Sequence, residues 1–132
     1  MGSLCWWIAR CLSHEQPDVI VDFVFENGLL FIAVENVGDS PAHDVSVSFD
    51  HQLQGAEGSK PINEMALFND LAFLPSGKKI VAFLDSATSY FRRGQPTEVT
   101  VRVVFHDRWG RRRVNRIRHN LEVYRDLRYV EH

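Results

Sequence analysis

Cysteine is scarce in this chain: Cys5 and Cys11 are the only two, both near the start. On a helix they would lie on different faces, and no further cysteine could extend a framework. They read as free thiols in a reducing compartment, which points to a cytoplasmic location. Long apolar runs are missing too. No stretch is apolar for about 18 residues, so no segment is expected to span a bilayer. The first residues lack the basic start of a secretion signal. Met1-Gly2 with Cys5 is a poor acylation signal, because Trp6 stands where a small hydroxyl is needed.

Catalytic and metal-binding patterns are absent as well. There is no nucleophile elbow, dinucleotide fingerprint or phosphate-binding loop; Gly58-Ser59-Lys60 lacks both the spacing and a preceding strand. His43 and His51 fall at opposite ends of one strand, far from the cysteines, so no metal set forms. His43-Asp44 and His106-Asp107 are neighbours on strands, and their side chains point apart, which is wrong for a base and its orienting carboxylate. Neither an enzyme nor a cofactor nor a metal is expected.

What is present suits one folded domain. The chain has 132 residues, 45% of them hydrophobic and 24% charged, ordinary values for a globular protein. Its net charge of −2 hides an asymmetry. Through Asp70 there are two basic residues (Arg10, Lys60) and eleven acidic ones, whereas from Leu71 onward there are thirteen basic and six acidic. The halves thus carry about −9 and +7. Either they face each other and neutralise, or the basic half addresses an anionic partner.

Taken in order, Leu4, Trp7, Ile8, Cys11 and Leu12 have the spacing of one helical face, predicting a short helix over Leu4–Ser13. It could plug an open end of the fold. Trp6, Trp7 and Ile8 also make it a candidate membrane or partner dock, since tryptophan favours half-wet surfaces. Asp18–Glu26 alternates as a strand. Asn27-Gly28 is a two-residue hairpin signal, leading into Leu29–Asn36, apolar on both faces like a central strand. His43–Asp50 alternates, with Val45, Val47 and Phe49 inward. Ile62–Leu74 fits neither period and is read as a short edge strand, with a helical turn as rival. Lys79–Asp85 is a strand and Ser86–Pro96 a loop.

The last element, Glu98–Tyr124, is a long hairpin. With Arg108-Trp109-Gly110 as a type I turn plus a left-handed glycine, Asp107 pairs with Arg111. Phe105–Arg113, Val101–Ile117 and Val99–His119 then share one side. His106–Arg112, Val104–Val114, Arg102–Arg116 and Thr100–Arg118 share the other. A two-residue loop would oppose apolar to polar positions. The register gathers Arg102, Arg112, Arg116 and Arg118 on the outward face, a candidate partner- or anion-binding site. Trp109 at the tip either stacks on Arg108 or Arg111 or anchors an interface. Asp44 and Asp50 on the neighbouring strand could instead neutralise that face. His119 reads as a satisfied sheet-end histidine.

Seven short strands with turn chemistry between them predict an all-β fold, an immunoglobulin-like antiparallel β-sandwich of about seven strands with a short N-terminal helix. The expected division is a helical segment over 1–16, the sandwich over 17–126 and a tail over 127–132. Asn36-Val37-Gly38 followed by Pro41-Ala42 and Val45, and Leu74-Pro75-Ser76-Gly77-Lys78, resemble the turns of bacterial immunoglobulin-like domains of the CARDB (cell-adhesion-related) type. That resemblance covers about 18–124 and implies a non-catalytic accessory or adhesion module. The arginine-rich last strand departs from the pattern, and no site residue carries over. The chain is therefore expected to be a protein-interaction module with a protein partner or as a homodimer. Two alternatives remain: a polyanion- or nucleic-acid-binding module using the arginines, or a soluble domain associated with a membrane through its N-terminal helix.

Overall fold

The computed structural model describes residues 15–56 and 61–127. The predicted helix over Leu4–Ser13, with Trp6, Trp7 and Ile8, lies outside the described residues. Seven strands carry the fold: β1 (Val19–Glu26), β2 (Leu29–Asn36), β3 (Ala42–Phe49), β4 (Leu71–Leu74), β5 (Lys79–Ser86), β6 (Glu98–His106) and β7 (Arg112–Asn120). They form two antiparallel sheets, one in the order β1-β2-β5, the other β4-β3-β6-β7. Alternation puts the inward residues of both sheets into one buried cluster. Val21, Phe23, Ile32 and Leu84 come from the first sheet, and Val45, Val47, Val101 and Phe105 from the second. Each such side chain removed from water contributes about 1.5–3 kcal/mol.

The β6–β7 hairpin has the register read from its sequence, with Arg102 opposite Arg116 and Phe105 opposite Arg113. Gly110 has φ +80° and its N–H donates to Asp107 O, closing the bulged turn. Glu26 pairs with Leu29, so Asn27-Gly28 makes the two-residue turn.

Four segments differ from expectation. The weak stretch before β4 contains both rivals: a 3-10 turn at Ile62–Glu64, a helical turn α1 (Ala66–Asn69), then the short edge strand. Ser86–Pro96 is not all loop, because α2 (Ala87–Arg92) forms there. Ser86 Oγ accepts the Ser89 N–H at 3.2 Å as an N-cap, and Ala87, Tyr90 and Phe91 bury one face. The second hairpin arm stops at Asn120 and turns into α3 (Val123–Leu127). Leu121 and Val123 mimic strand alternation, but the buried Leu121 ends the strand and Val123 is exposed. In β3 the register shifts between His43 and Ser46, and Asp44 sits in the bulge with φ +48°.

Two polar features hold the ends. Asn36 is fully buried. Its Oδ1 accepts the N–H groups of Asp18 (3.1 Å) and Gly38 (3.0 Å), and its Nδ2 donates to Ser40 O (2.9 Å) and Leu74 O (3.1 Å). The two turn motifs singled out in the sequence thus meet at one side chain. Gly38 packs so tightly that a Cβ there would lie 2.3 Å from Gln16 O. At the other feature, side chains from the β7 end of the second sheet close the open edge of β1. Asn115 Nδ2 donates to Val19 O (2.8 Å), His119 Nε2 to Val21 O (2.9 Å) and Tyr124 Oη to Phe23 O (2.8 Å). A carbonyl only accepts, so His119 Nε2 carries the proton, and the histidine is satisfied as expected. An edge strand whose carbonyls are bonded by side chains is a poor template for another strand.

Candidate functional site

The outward face of β3, β6 and β7 is set by the hairpin register. Across it run the rows His43–His106–Arg112, Ser46–Val104–Val114 and Ser48–Arg102–Arg116, followed by Thr100–Arg118. Arg112, Arg116 and Arg118 are exposed, and Arg102, on the inner of the two strands, is half-buried. The four arginines chosen from sequence therefore share one face.

Among the described residues the neighbouring strand's Asp44 and Asp50 form no ion pair with these arginines. Asp50 turns its Oδ1 to the Thr100 N–H at 3.0 Å and caps the β3–β6 ladder, with His51 at 3.8 Å. Asp44, displaced by the bulge, lines a depression with Asn69, Asp70 and Leu71 on the β4 side. Arg118 pairs with Glu98 at 3.5 Å, both well exposed, a contact of at most about 1 kcal/mol. Among the described residues, Arg102, Arg112 and Arg116 have no ion pair. The Arg102–Arg116 juxtaposition is unfavourable by roughly 0.2–1 kcal/mol. Beside it lies an open depression of about 360 Å³ lined by Ser48, Phe49, Asp50, Thr100, Arg102 and Arg116. Two guanidinium groups outnumber the Asp50 carboxylate around this hollow, and with the hydroxyls beside them they can bind carboxylate or phosphate oxygens.

The tip is a separate unit. Trp109 is 53% exposed, with the Arg108 and Arg111 guanidinium carbons 5.1 and 5.3 Å from its ring centroid. Both candidates for stacking thus lie over its ring. Asp107, buried, holds the turn: its Oδ1 accepts the Trp109 and Arg111 N–H groups and its Oδ2 the Arg111 Nε, each at 2.9 Å. Burial pushes its carboxyl up, but the backbone and side-chain hydrogen bonds from Arg111 and Trp109 outweigh that and hold it below the ordinary 3.8. Arg108 reaches Glu15 at 3.3 Å. Arg113 points toward the sheet interior, half-buried beside Phe105 and Pro17, as the register requires.

Sequence reasoning missed two features of this region. One is Asp107 as the organiser of the tip, signalled by an aspartate two residues before the tryptophan of a glycine-bulged turn. The other is the diversion of Asp44, which alternation alone cannot reveal. Among the described residues no group of three His, Cys, Asp or Glu side chains could hold a metal, and no helix is long and apolar enough to cross a membrane.

A family model described as a domain of unknown function (DUF8453) matches residues 9–125. The chain belongs to the DUF8453 family. The DUF8453 match takes in all seven strands, the arginine face and the hairpin tip. No curated protein matches the chain.

Proposed function

We propose that the chain is a non-catalytic immunoglobulin-like β-sandwich that works as a protein-interaction module, docking an acidic protein surface on the arginine face of β3, β6 and β7. The sandwich reading is supported by two antiparallel sheets sharing one buried cluster, with β3 beside β6. The likeness to CARDB-type domains is supported by its two turn motifs meeting at Asn36. The observation that carries the docking reading is that Arg102, Arg112 and Arg116 lie together, outward, with no carboxylate partner among the described residues. A protein keeps such a like-charge cluster at a cost in stability, and an opposing acidic surface offsets it. A rigid three-strand platform with Val104 and Val114 between the arginines suits a protein surface better than a single-stranded nucleic acid, which asks for successive stacking aromatics on the face. The exposed aromatic of the face is Phe73, packed on His43 at the far end of the row that reaches Arg112, which is one ring rather than a succession of them, and Trp109 at the tip is stacked on its own arginines.

The test is fluorescence anisotropy of labelled polyglutamate and of a labelled oligonucleotide against the full chain at low and moderate salt. Polyglutamate is expected to bind at about 0.05 M salt, to weaken several-fold at about 0.15 M, and to be lost in Arg102→Ala/Arg116→Ala. Binding that survives that substitution refutes the site. Tighter binding of the oligonucleotide than of polyglutamate replaces this reading with the polyanion one.

A further inference from the structure

The opposite outer face, that of the β1-β2-β5 sheet, is apolar in its middle. Its cross-strand rows are Ile20–Glu35–Lys79, Asp22–Ala33–Val81, Val24–Phe31–Phe83 and Glu26–Leu29–Ser86. Val81 is 50% exposed and Phe83 47%, and Phe83 leans edge-on against Phe31 at 5.7 Å. The inner faces of these strands already supply the core, so this second apolar surface is unnecessary for folding. Around it stand three carboxylates, Asp22, Glu26 and Glu35, and one cation, Lys79, so the rim is net acidic; none of the four has an ion pair among the described residues. The arginine face has the complementary layout: Val104 and Val114 in the middle, and Arg102, Arg112 and Arg116 around them.

We propose that the β1-β2-β5 outer face docks the arginine face of a second copy of the chain, giving a head-to-tail stack. This rests on the arginine face being a protein-docking face and names its acidic partner. Charge selects the arrangement. Two β1-β2-β5 faces meeting about a twofold axis would set three carboxylates against three, with only Lys79 of each copy to offset them, and two arginine faces would set guanidinium groups against guanidinium groups. Only the unlike faces match, so the contact is heterologous and one copy retains a free face of each type. Its size sets the strength. Three strands spaced about 4.8 Å apart, with a rise of about 3.4 Å per residue, give a platform roughly 10–15 Å by 20–25 Å. That is well under the ~800 Å² per partner of a stable complex, so association is weak, on the order of 100 µM.

The experiment is sedimentation velocity of the full chain from roughly 10 µM to 1 mM, at about 0.05 and 0.5 M salt. The expected result is a weight-average sedimentation coefficient that rises with concentration at low salt and returns to the monomer value at high salt. Phe83→Ser, which removes only the apolar face, and Arg102→Ala/Arg116→Ala, which removes only the basic face, each stay monomeric. Mixed in equal amounts, they regain association but stop at the dimer, because each supplies the face that the other lacks. If Phe83→Ser does not fold by circular dichroism, Val81→Lys takes its place. A monomeric wild type at 1 mM and low salt, or a mixture that stays monomeric, overturns the stack. Association that is lost in Phe83→Ser but kept in the arginine variant also overturns it, in favour of a twofold contact. A monomeric wild type that still binds polyglutamate through Arg102 and Arg116 sinks the stack alone and leaves the docking face standing. If both are absent, both readings fall.

Discussion

Replacing Asn36 with alanine should cost more than any other single polar truncation among the described residues. The side chain satisfies four backbone groups from three separate segments: the start of β1, the β2–β3 loop and the end of β4. Two of those groups, the carbonyls of Ser40 and Leu74, belong to residues at most 1% exposed, so water cannot easily replace the lost amide. A buried group stripped of its partner costs about 1–3 kcal/mol. The Asp18 and Gly38 N–H groups lie nearer the surface and lose about 0.5–1 kcal/mol each. The sum is about 3–8 kcal/mol, a large part of the 5–15 kcal/mol typical of a domain. The melting temperature should fall by roughly 10 °C or more.

Urea denaturation followed by circular dichroism measures the effect, with an unchanged slope showing that the unfolded state is the same. Asn36→Asp sharpens the test. A carboxylate keeps both acceptor positions toward Asp18 and Gly38 but sets negative charge against the Ser40 and Leu74 oxygens, so it should be at least as damaging as alanine. Ser76→Ala is the control, since its hydroxyl bonds Gly38 O at the same junction but is exposed; it should cost under about 1 kcal/mol. An Asn36→Ala protein within about 1 kcal/mol of wild type would refute the idea that this amide ties the end of the fold together.

Arg93→Ala strands the buried Asp85, whose Oδ2 lies 2.5 Å from Arg93 Nη2; a loss of about 2–3 kcal/mol is expected by urea denaturation, below the full cost for a buried pair because Arg93 is partly exposed. Tyr124→Phe removes the hydroxyl from Phe23 O and should cost about 1 kcal/mol, with faster amide exchange confined to β1 and α3; unchanged exchange would mean that the edge is closed by packing alone. Because the Asp107 carboxyl titrates below the ordinary 3.8 in the folded chain, its contribution is complete above that value and is lost as pH falls through the folded one. The Trp109 and Arg111 amide resonances should therefore shift only in acid below about pH 3.8, and Asp107→Asn should abolish that titration.

Much of the hairpin was legible because its signals agree. Alternation over Val99–Phe105 fixes which side faces the core, and an aspartate and a glycine bracketing the tip permit one bulged turn, so the pairing of Arg102 with Arg116 follows. Helix α2 was hidden because its Ser86 cap lies in a segment closed by Gly94 and Pro96, which reads as loop, while the burial of Tyr90 and Phe91 is decided by tertiary packing. Helix α3 was hidden because Leu121 and Val123 extend a period of two by coincidence. The apolar outer face was visible in part, since Leu29–Asn36 is hydrophobic on both sides. A central strand flanked by two others satisfies that pattern, however, whether or not its second side is covered. The arginine face itself followed from register alone, whereas the orientation of Asp44 depends on a bulge whose position no local pattern announces.

The fate of the charge asymmetry is the step that links these elements. An acidic first half and a basic second half could have been neutralised by folding one against the other. Among the described residues only one arginine pair joins the halves, Arg108 with Glu15. Arg93 with Asp85, Arg111 with Asp107, Arg118 with Glu98 and Arg125 with Glu122 all lie within the basic half. The topology explains why. Strands β1 and β2 form one sheet with β5, and β6 and β7 lie in the other with β3, so the inward faces that meet are apolar and the charges are left on the two outer surfaces, where Lys79 of β5 and Asp44 and Asp50 at β3 are the minority charges. The asymmetry along the sequence thereby becomes an asymmetry across the molecule, acidic on the outside of one sheet and basic on the outside of the other. Internal pairing does not require such an arrangement, and stacking through unlike faces uses it directly.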